Sequence, residues 1–275
     1  MPAKGMRKAF ILARMPFSSA RRHRHLLREF VLRDVRGRFA GSVAGVFWTL
    51  IHPLATIGIY FYVFSLILRV RVDVEETGTD RFAVFFLSGF FPWLLFTEGL
   101  SRSVGSLIDN ANLITKVVFP VELIPAATVV AAFLVNILGM LLFLVYLLLA
   151  GYGHSAWLLL LILIPIQLVF TWGLASFLAA LCVFVRDVRE VLGIGLMVWF
   201  FATPVIYPLS MVPPGLRSLM DLNPMATFVG LYRDALLLHQ VHWAPLLQAG
   251  LVAMITYLAG AWFFMRAKPA FGDVL

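Results

Sequence analysis

Long uncharged stretches alternate along this chain with short segments that hold most of its charge. No Asp, Glu, Lys or Arg lies between Arg38 and Arg69. Setting aside the glycine-containing start, residues 46–68 suffice for one membrane-crossing helix at about 1.5 Å rise per residue. Residues 82–97 form a second uncharged run, closed by Glu98. Residues 123–185 are uncharged again, and the break Gly151-Tyr152-Gly153-His154-Ser155 divides them into spans three and four. A fifth span is predicted over 191–207, ending at Pro208 and the Pro213-Pro214-Gly215 cluster, and a sixth over 243–265. Residues 209–242 are too apolar for an ordinary loop yet are interrupted by Arg217, Asp221, Pro224, Arg233 and Asp234. Their stretches 216–222 and 225–238 suit short re-entrant helices, since irregular backbone at membrane depth needs protein or a cavity around it.

Two polar segments carry their own pattern. On a helical wheel Leu26, Leu27, Phe30, Val31 and Val35 fall on one half and Arg28, Glu29, Arg33 and Arg36 on the other. That pattern predicts an amphipathic helix in the membrane plane, with its arginines toward headgroups or a cytoplasmic partner. Residues 106–121 mix helix formers with Asp109, Asn110, Asn112 and Lys116 and stop at Phe119-Pro120. A short helix parallel to the membrane is expected there, although a solvated loop has a similar pattern.

Composition agrees with lipid as the main solvent: 61% of the 275 residues are apolar and 13% are charged. The reading is an all-α integral membrane protein of one domain. It comprises a basic, amphipathic cytoplasmic segment (1–45), a six-span bundle (46–265) and a cytoplasmic tail (266–275). The net charge of +8 does not point to nucleic acid, because eleven of the 22 Lys and Arg precede the first apolar run. With the amino terminus inside, cytoplasmic segments hold 17 Lys and Arg and outer segments five, which predicts a multi-pass inner-membrane protein with both termini cytoplasmic. The start of the chain lacks a compact apolar core followed by a small-residue cleavage site, so a cleaved signal peptide is not expected.

Candidate chemistry is sparse. Cys182 is the single cysteine, which excludes an intrachain disulfide. Glu98 is the one acid well inside an apolar span, and its spacing from Arg102 predicts an ion pair along one helix ahead of a transport role. His52 before Pro53 reads as a kink-associated polar residue. His239 and His242 have no carboxylate or cysteine close in sequence, so no metal site is assigned. No catalytic cluster of acid, base or metal ligands occurs, and no Gly-x-x-x-x-Gly-Lys-Ser/Thr loop is present to cradle phosphates.

Four segments in order bear a resemblance: Leu32 through Trp48 with His52-Pro53; Asn112 through Pro120; Phe184-Val185-Arg186-Asp187-Val188; and Thr203-Pro204-Val205-Ile206-Tyr207 with Leu222-Asn223-Pro224 and Tyr232-Arg233. Together they resemble the permeases of polysaccharide ABC exporters, which move O-antigens, capsular polymers and teichoic acids. The resemblance covers about residues 26–265. Ala44 departs from the usual leucine and His52 from the common asparagine.

This resemblance implies a homodimer with two copies of a separate ATPase, so that Mg-ATP belongs to the partner and this chain needs no cofactor. The cargo would be lipid-linked polysaccharide, with O-antigen first and capsule, teichoic acid or a smaller lipid or drug as alternatives. It assigns ATPase coupling to Arg33, Arg36, Arg38, Asp109, Asn110, Asn112 and Lys116. An outer gate would comprise Pro213, Pro214, Asn223, Pro224, Tyr232 and Arg233. A polysaccharide passage needs flat, sequence-tolerant surfaces, which aromatic side chains supply. Tyr60, Tyr62, Phe64, Phe90, Trp93, Trp199, Phe200 and Tyr207 are the candidates, against ordinary interfacial anchoring. An ion-coupled secondary transporter would need more buried charge than Glu98, and a membrane enzyme would need a site that is missing.

Overall fold

The structure is a computed structural model. It describes residues 16–38, 45–48, 51, 54–55, 58–59, 62–67, 73–116 and 119–275; the side chains of residues 46, 64–66 and 218–219 are not described. Every regular element among the described residues is helical. Of the first expected span only short pieces are described, including the π-type turn Tyr62–Ile67. The helices are α1 (Arg24–Gly37), α2 (Val74–Thr77), α3 (Phe82–Val104), α4 (Ser106–Asp109), α5 (Ala111–Lys116) and α6 (Leu123–Leu149), followed by α7 (Leu160–Phe184), α8 (Val188–Phe201), α9 (Pro214–Asp221), α10 (Pro224–Arg233), α11 (Trp243–Ala267) and α12 (Phe271–Val274). Among the described residues, four helical stretches are long and apolar enough to cross a membrane: Val74–Val104, Leu123–Leu149, Ser155–Phe184 and Trp243–Val274.

α3 is the central column. Its sequence is apolar on nearly every side, which suits lipid or protein around it, and here protein surrounds most of it. α6 and α7 flank it, and α10 and α8 also pack against it. Phe85, Phe86, Leu95, Phe96 and Leu100 are almost fully buried as a result. Pro92 lies inside α3 and removes one backbone donor. The neighbouring Pro92 carbonyl accepts a 2.6 Å bond from Gln167 Nε2 of α7, and Gln167 Oε1 lies 2.8 Å from the hydroxyl of Tyr232 on α10. Both Gln167 and Tyr232 are fully buried, so this bond chain joins three helices where no water competes.

α7 and α11 meet backbone to backbone. A Cβ on Gly260 would fall 1.9 Å from the Gly173 carbonyl oxygen, and one on Gly173 would fall 2.4 Å from Tyr257 Cα. Lipid tails are as apolar as Leu, so such close approach supplies the dispersion contact that holds membrane helices together. At one end of the bundle α1 lies across α6, with Val31 against Ala127 and Ala131. The amphipathic pattern is therefore used partly on protein: Leu27, Phe30 and Val35 pack there too, while Leu26 stays exposed.

Helix α3 runs on to Val104, so Glu98 and Arg102 share one helix as their spacing predicts. Other boundaries differ from expectation. The predicted helix over 106–121 is two short helices broken at Asn110, whose amide donates to Ser106 O at 2.8 Å and competes with the helical pattern. Helix α8 begins before Val191 and ends at Phe201, and its 14 residues rise about 21 Å, short of a full crossing. The stretch after Pro224 is helical through a π turn, Asp234–Leu238, and ends at His239 in the left-handed region, φ 57°.

Leucine at Gly260 or Gly173 forces α7 from α11. Gly260→Leu is expected to cost at least about 2 kcal/mol of stability in detergent, read as a lowered unfolding midpoint. Gly250→Leu is the control, because a Cβ at Gly250 meets nothing within 4 Å.

Candidate functional site

The expected coupling residues gather at the end of the bundle that carries α1, α4 and α5. Arg33, stacked over Phe30 with its Cζ 4.2 Å from the ring centre, donates to Asn110 Oδ1 at 2.8 Å. Asp34 receives two bonds from Arg102 Nη2, at 3.0 and 3.1 Å. Asp109 lies 3.8 Å from Arg189, beside the tight turn that opens α8. Helix α1 is thus tied both to α3 and to the break between α4 and α5. On α5, Asn112 and Lys116 are exposed, whereas Leu113 and Ile114 face the apolar cluster of Leu107, Val121 and Ile124. Arg36 is exposed.

Arg38 stands apart from this surface. Its side chain is 8% exposed and its Nη1 lies 2.6 Å from Glu98 Oε1. Asn136 of α6 donates to the other Glu98 oxygen and to Ala132 O. The expected Glu98–Arg102 pair along one helix is replaced by two pairs between elements, Arg38–Glu98 and Asp34–Arg102. Arginine on the chain flanking α1 can reach an acid within α3, and each acid then has its own cation.

At the opposite end, the sequence 202–207 turns away from α8. Its carbonyls would lack partners in an apolar setting. Arg233 supplies them: Nη1 donates to Pro204 O at 2.6 Å and Nη2 to Val205 O at 2.8 Å, while the guanidinium lies 3.7 Å over the Phe85 ring. Gly89 makes room, since a Cβ there would stand 2.8 Å from Arg233 Nη2. Asn223 caps α10 through Met225 N, accepts from Trp199 Nε1 at 2.8 Å and donates to Ala202 O and to Thr203 Oγ1. A cavity of about 430 Å³ opens beside it, lined by Trp199, Ala202, Leu216, Met220, Leu222, Asn223 and Pro224. Pro213 and Pro214 are exposed at the start of α9, and Glu76 of α2 holds Ser210 N and Oγ at 2.9 and 2.6 Å. Asn223, Tyr232 and Arg233 therefore bind one another's elements together, while the two prolines face outward.

The aromatic candidates divide. Phe90 and Trp93 are buried in the core, Trp93 against Phe200 at 5.4 Å between ring centres. Trp199, Phe200 and Tyr207 are half-buried, and the Tyr207 hydroxyl donates to Phe201 O at 2.7 Å. Tyr62 is exposed; Tyr60, His52 and the side chain of Phe64 lie outside the described residues. Near the same end, His242 has a carboxylate partner after all, Asp234 at 2.9 Å, and His239 stacks on His154 at 4.6 Å. No cluster of three candidate metal ligands occurs among the described residues.

This arrangement has a family match over residues 25–237, to the ABC-2 type transporters. The chain belongs to the ABC-2 type transporter family. Similar proteins include an O-antigen export system permease protein, RfbA, of Myxococcus xanthus, 30% identical over 91% of this chain and 95% of that protein. A Klebsiella pneumoniae protein of the same name is 28% identical with the same coverage. The polysialic acid transport protein KpsM of Escherichia coli is 28% identical over 75% of this chain and 79% of its own length. For this ABC-2 protein the residues missed from sequence are Asn136 and Gln167, which serve Glu98 and Pro92. Their signal was present: each is an amide within the uncharged stretch 123–185, where polar groups bond across helices.

Removing Glu98 leaves Arg38 buried without an acid, so Glu98→Ala is expected to cost about 3 kcal/mol. Asp34→Ala breaks a more exposed pair and is expected to cost under about 1 kcal/mol. Denaturation in detergent measures both, and equal losses would contradict the assignment.

Proposed function

We propose that this ABC-2 protein is the membrane subunit of an ATP-driven exporter of lipid-linked polysaccharide, with O-antigen as its cargo. The observation that carries this reading is the collinear likeness to the O-antigen permeases, which extends over nearly the whole of both chains. The likeness to the polysialic acid transporter covers less of the chain and favours capsular polysaccharide as the second reading.

Two copies act together with two copies of a separate ATPase in the inner membrane, both termini in the cytoplasm. Support for a second copy comes from α8, whose Val191, Ile194, Met197, Val198 and Phe201 form an apolar stripe at helical spacing, each more than half exposed. Six spans are counted by adding residues 46–68, and α8 together with the segment 202–207 that follows it, to the four long helices. In this reading α9 and α10 are the re-entrant pair, and Arg233 holds the outer turn closed by its carbonyl bonds.

ATP binding can move the permease only through a contact that differs between the two states of the ATPase. The exposed polar face of α5, Asn112 and Lys116, together with Arg33 and Arg36 of α1, is assigned that contact. Trp199, Phe200 and Tyr207, with Tyr62, are assigned to border the passage, and Trp93 supports Phe200 from behind.

In the native host, loss of this protein is expected to remove long-chain O-antigen from the cell surface. Lys116→Glu or Asn112→Ala, inserted at the normal level, is expected to reduce surface polysaccharide at least tenfold on immunoblots. Normal surface polysaccharide with both variants would contradict the coupling assignment, and normal O-antigen with capsule lost in the deletion strain would favour the capsular reading.

A further inference from the structure

The segment after α11 folds back against α4, α5 and the end of α7. Helix α11 ends at Ala267, and the turn Lys268–Ala270, with Pro269 at its start, redirects the chain into α12. Phe271 is then 1% exposed. Its ring lies edge-on to Phe264 of α11 at 5.4 Å and 6.1 Å from Phe184, the last residue of α7. The same cluster contains Leu107 of α4 and receives Leu113 and Ile114 of α5 from one side and Leu275 from the other. Helix α12 touches α5 directly.

An ion pair secures the turn. Lys268 Nζ donates to Glu122 Oε2 at 2.6 Å, at the foot of α6. Burial pushes the Glu122 carboxyl up, but hydrogen bonds from Lys268 and Ser19 outweigh it and hold the group below its ordinary value. The Glu122 carboxyl is therefore ionised at neutral pH. Opening the tie would leave the Glu122 carboxylate, 7% exposed, without its cation.

Short helices do not hold their own position. Helix α5 has six residues, too few to be stable alone, so its orientation depends on what Leu113 and Ile114 rest upon. They rest on a cluster completed by Phe271. The cluster includes Ala179, Ala180 and Val183 of α7 and Phe264 and Met265 of α11, and farther along the same two helices meet backbone to backbone at Gly173 and Gly260.

We propose that the C-terminal tail is a brace that makes α5 move as one body with α7 and α11, with Phe271, Lys268 and Glu122 as its positioning residues. It rests on the reading of α5 as the ATPase contact. The polar face of α5 grips the ATPase, and its apolar face passes the displacement through Phe271 into the bundle. Without the brace α5 still binds the ATPase but yields locally, so ATP is hydrolysed with little glycan moved.

The test uses the permease co-expressed with its ATPase and reconstituted in proteoliposomes containing lipid-linked O-antigen. Phe271→Ala and a chain ending at Lys268 are compared with wild type for ATPase co-purification, ATP hydrolysis and glycan exported per ATP. Expected are co-purification and hydrolysis within twofold of wild type and at least a fivefold fall in export per ATP. Phe271→Leu, which refills the cluster, is expected to recover more than half of that ratio. Glu122→Lys with Lys268→Glu is expected to recover more than either change alone. A wild-type export ratio in both Phe271→Ala and the truncated chain overturns the proposal. So does equal loss of folded protein in Phe271→Ala and Phe271→Leu, which makes the tail a folding element only. If wild type itself neither binds the ATPase nor exports, the functional reading fails instead.

Discussion

A carboxylate placed within an apolar helix has no water to hold its charge, so the chain must bring a cation and hydrogen-bond donors to it. Glu98 is met by Arg38 from the chain after α1 and by Asn136 from α6. That requirement fixes where α1 lies, because Arg38 can reach Glu98 only if the helix before it rests across α6. Once α1 is there, Asp34 falls beside Arg102 and Arg33 beside Asn110. The polar surface at this end follows from one buried charge. The same rule operates at the other end, where Arg233 answers the carbonyls of Pro204 and Val205.

These two polar locks are joined by α3. It carries Glu98 and Arg102 toward one end, and Phe85 and Gly89, which receive Arg233, toward the other. Midway, Gln167 bonds the Pro92 carbonyl and the Tyr232 hydroxyl, so the central helix has ties to α1, α6, α7 and α10 along its length. A packed rod of this kind cannot deform gradually; it is either seated or displaced as a unit. Under the proposed coupling role, that property lets an ATPase contact on α1 and α5 be felt at the turn after α8.

The long apolar helices were legible in the sequence because each holds a long uncharged run, and the break at Gly151 to Ser155 separates α6 from α7 as its turn residues require. The segment after Pro208 was legible as two short helices because Pro214 and Pro224 each stand at a helix start. Pairing was harder to read. Glu98 and Arg102 have the spacing of a helical ion pair, yet each found a partner far along the chain, since local spacing says nothing of what tertiary packing brings closer. Phe90 and Trp93 were candidates for the passage by residue type, and both are buried in the core of the chain. Asp234 lies eight positions from His242 along the chain, and the π turn and left-handed His239 bring the two together.

As proposed, this ABC-2 protein is a passive conduit whose shape is set by a separate ATPase. Flux of lipid-linked polysaccharide across proteoliposomes, measured with the purified chain alone and with the ATPase added, tests it most directly. Transport is expected only when the ATPase and hydrolysable ATP are both present. Transport by the chain alone, driven by a proton or sodium gradient, would contradict it.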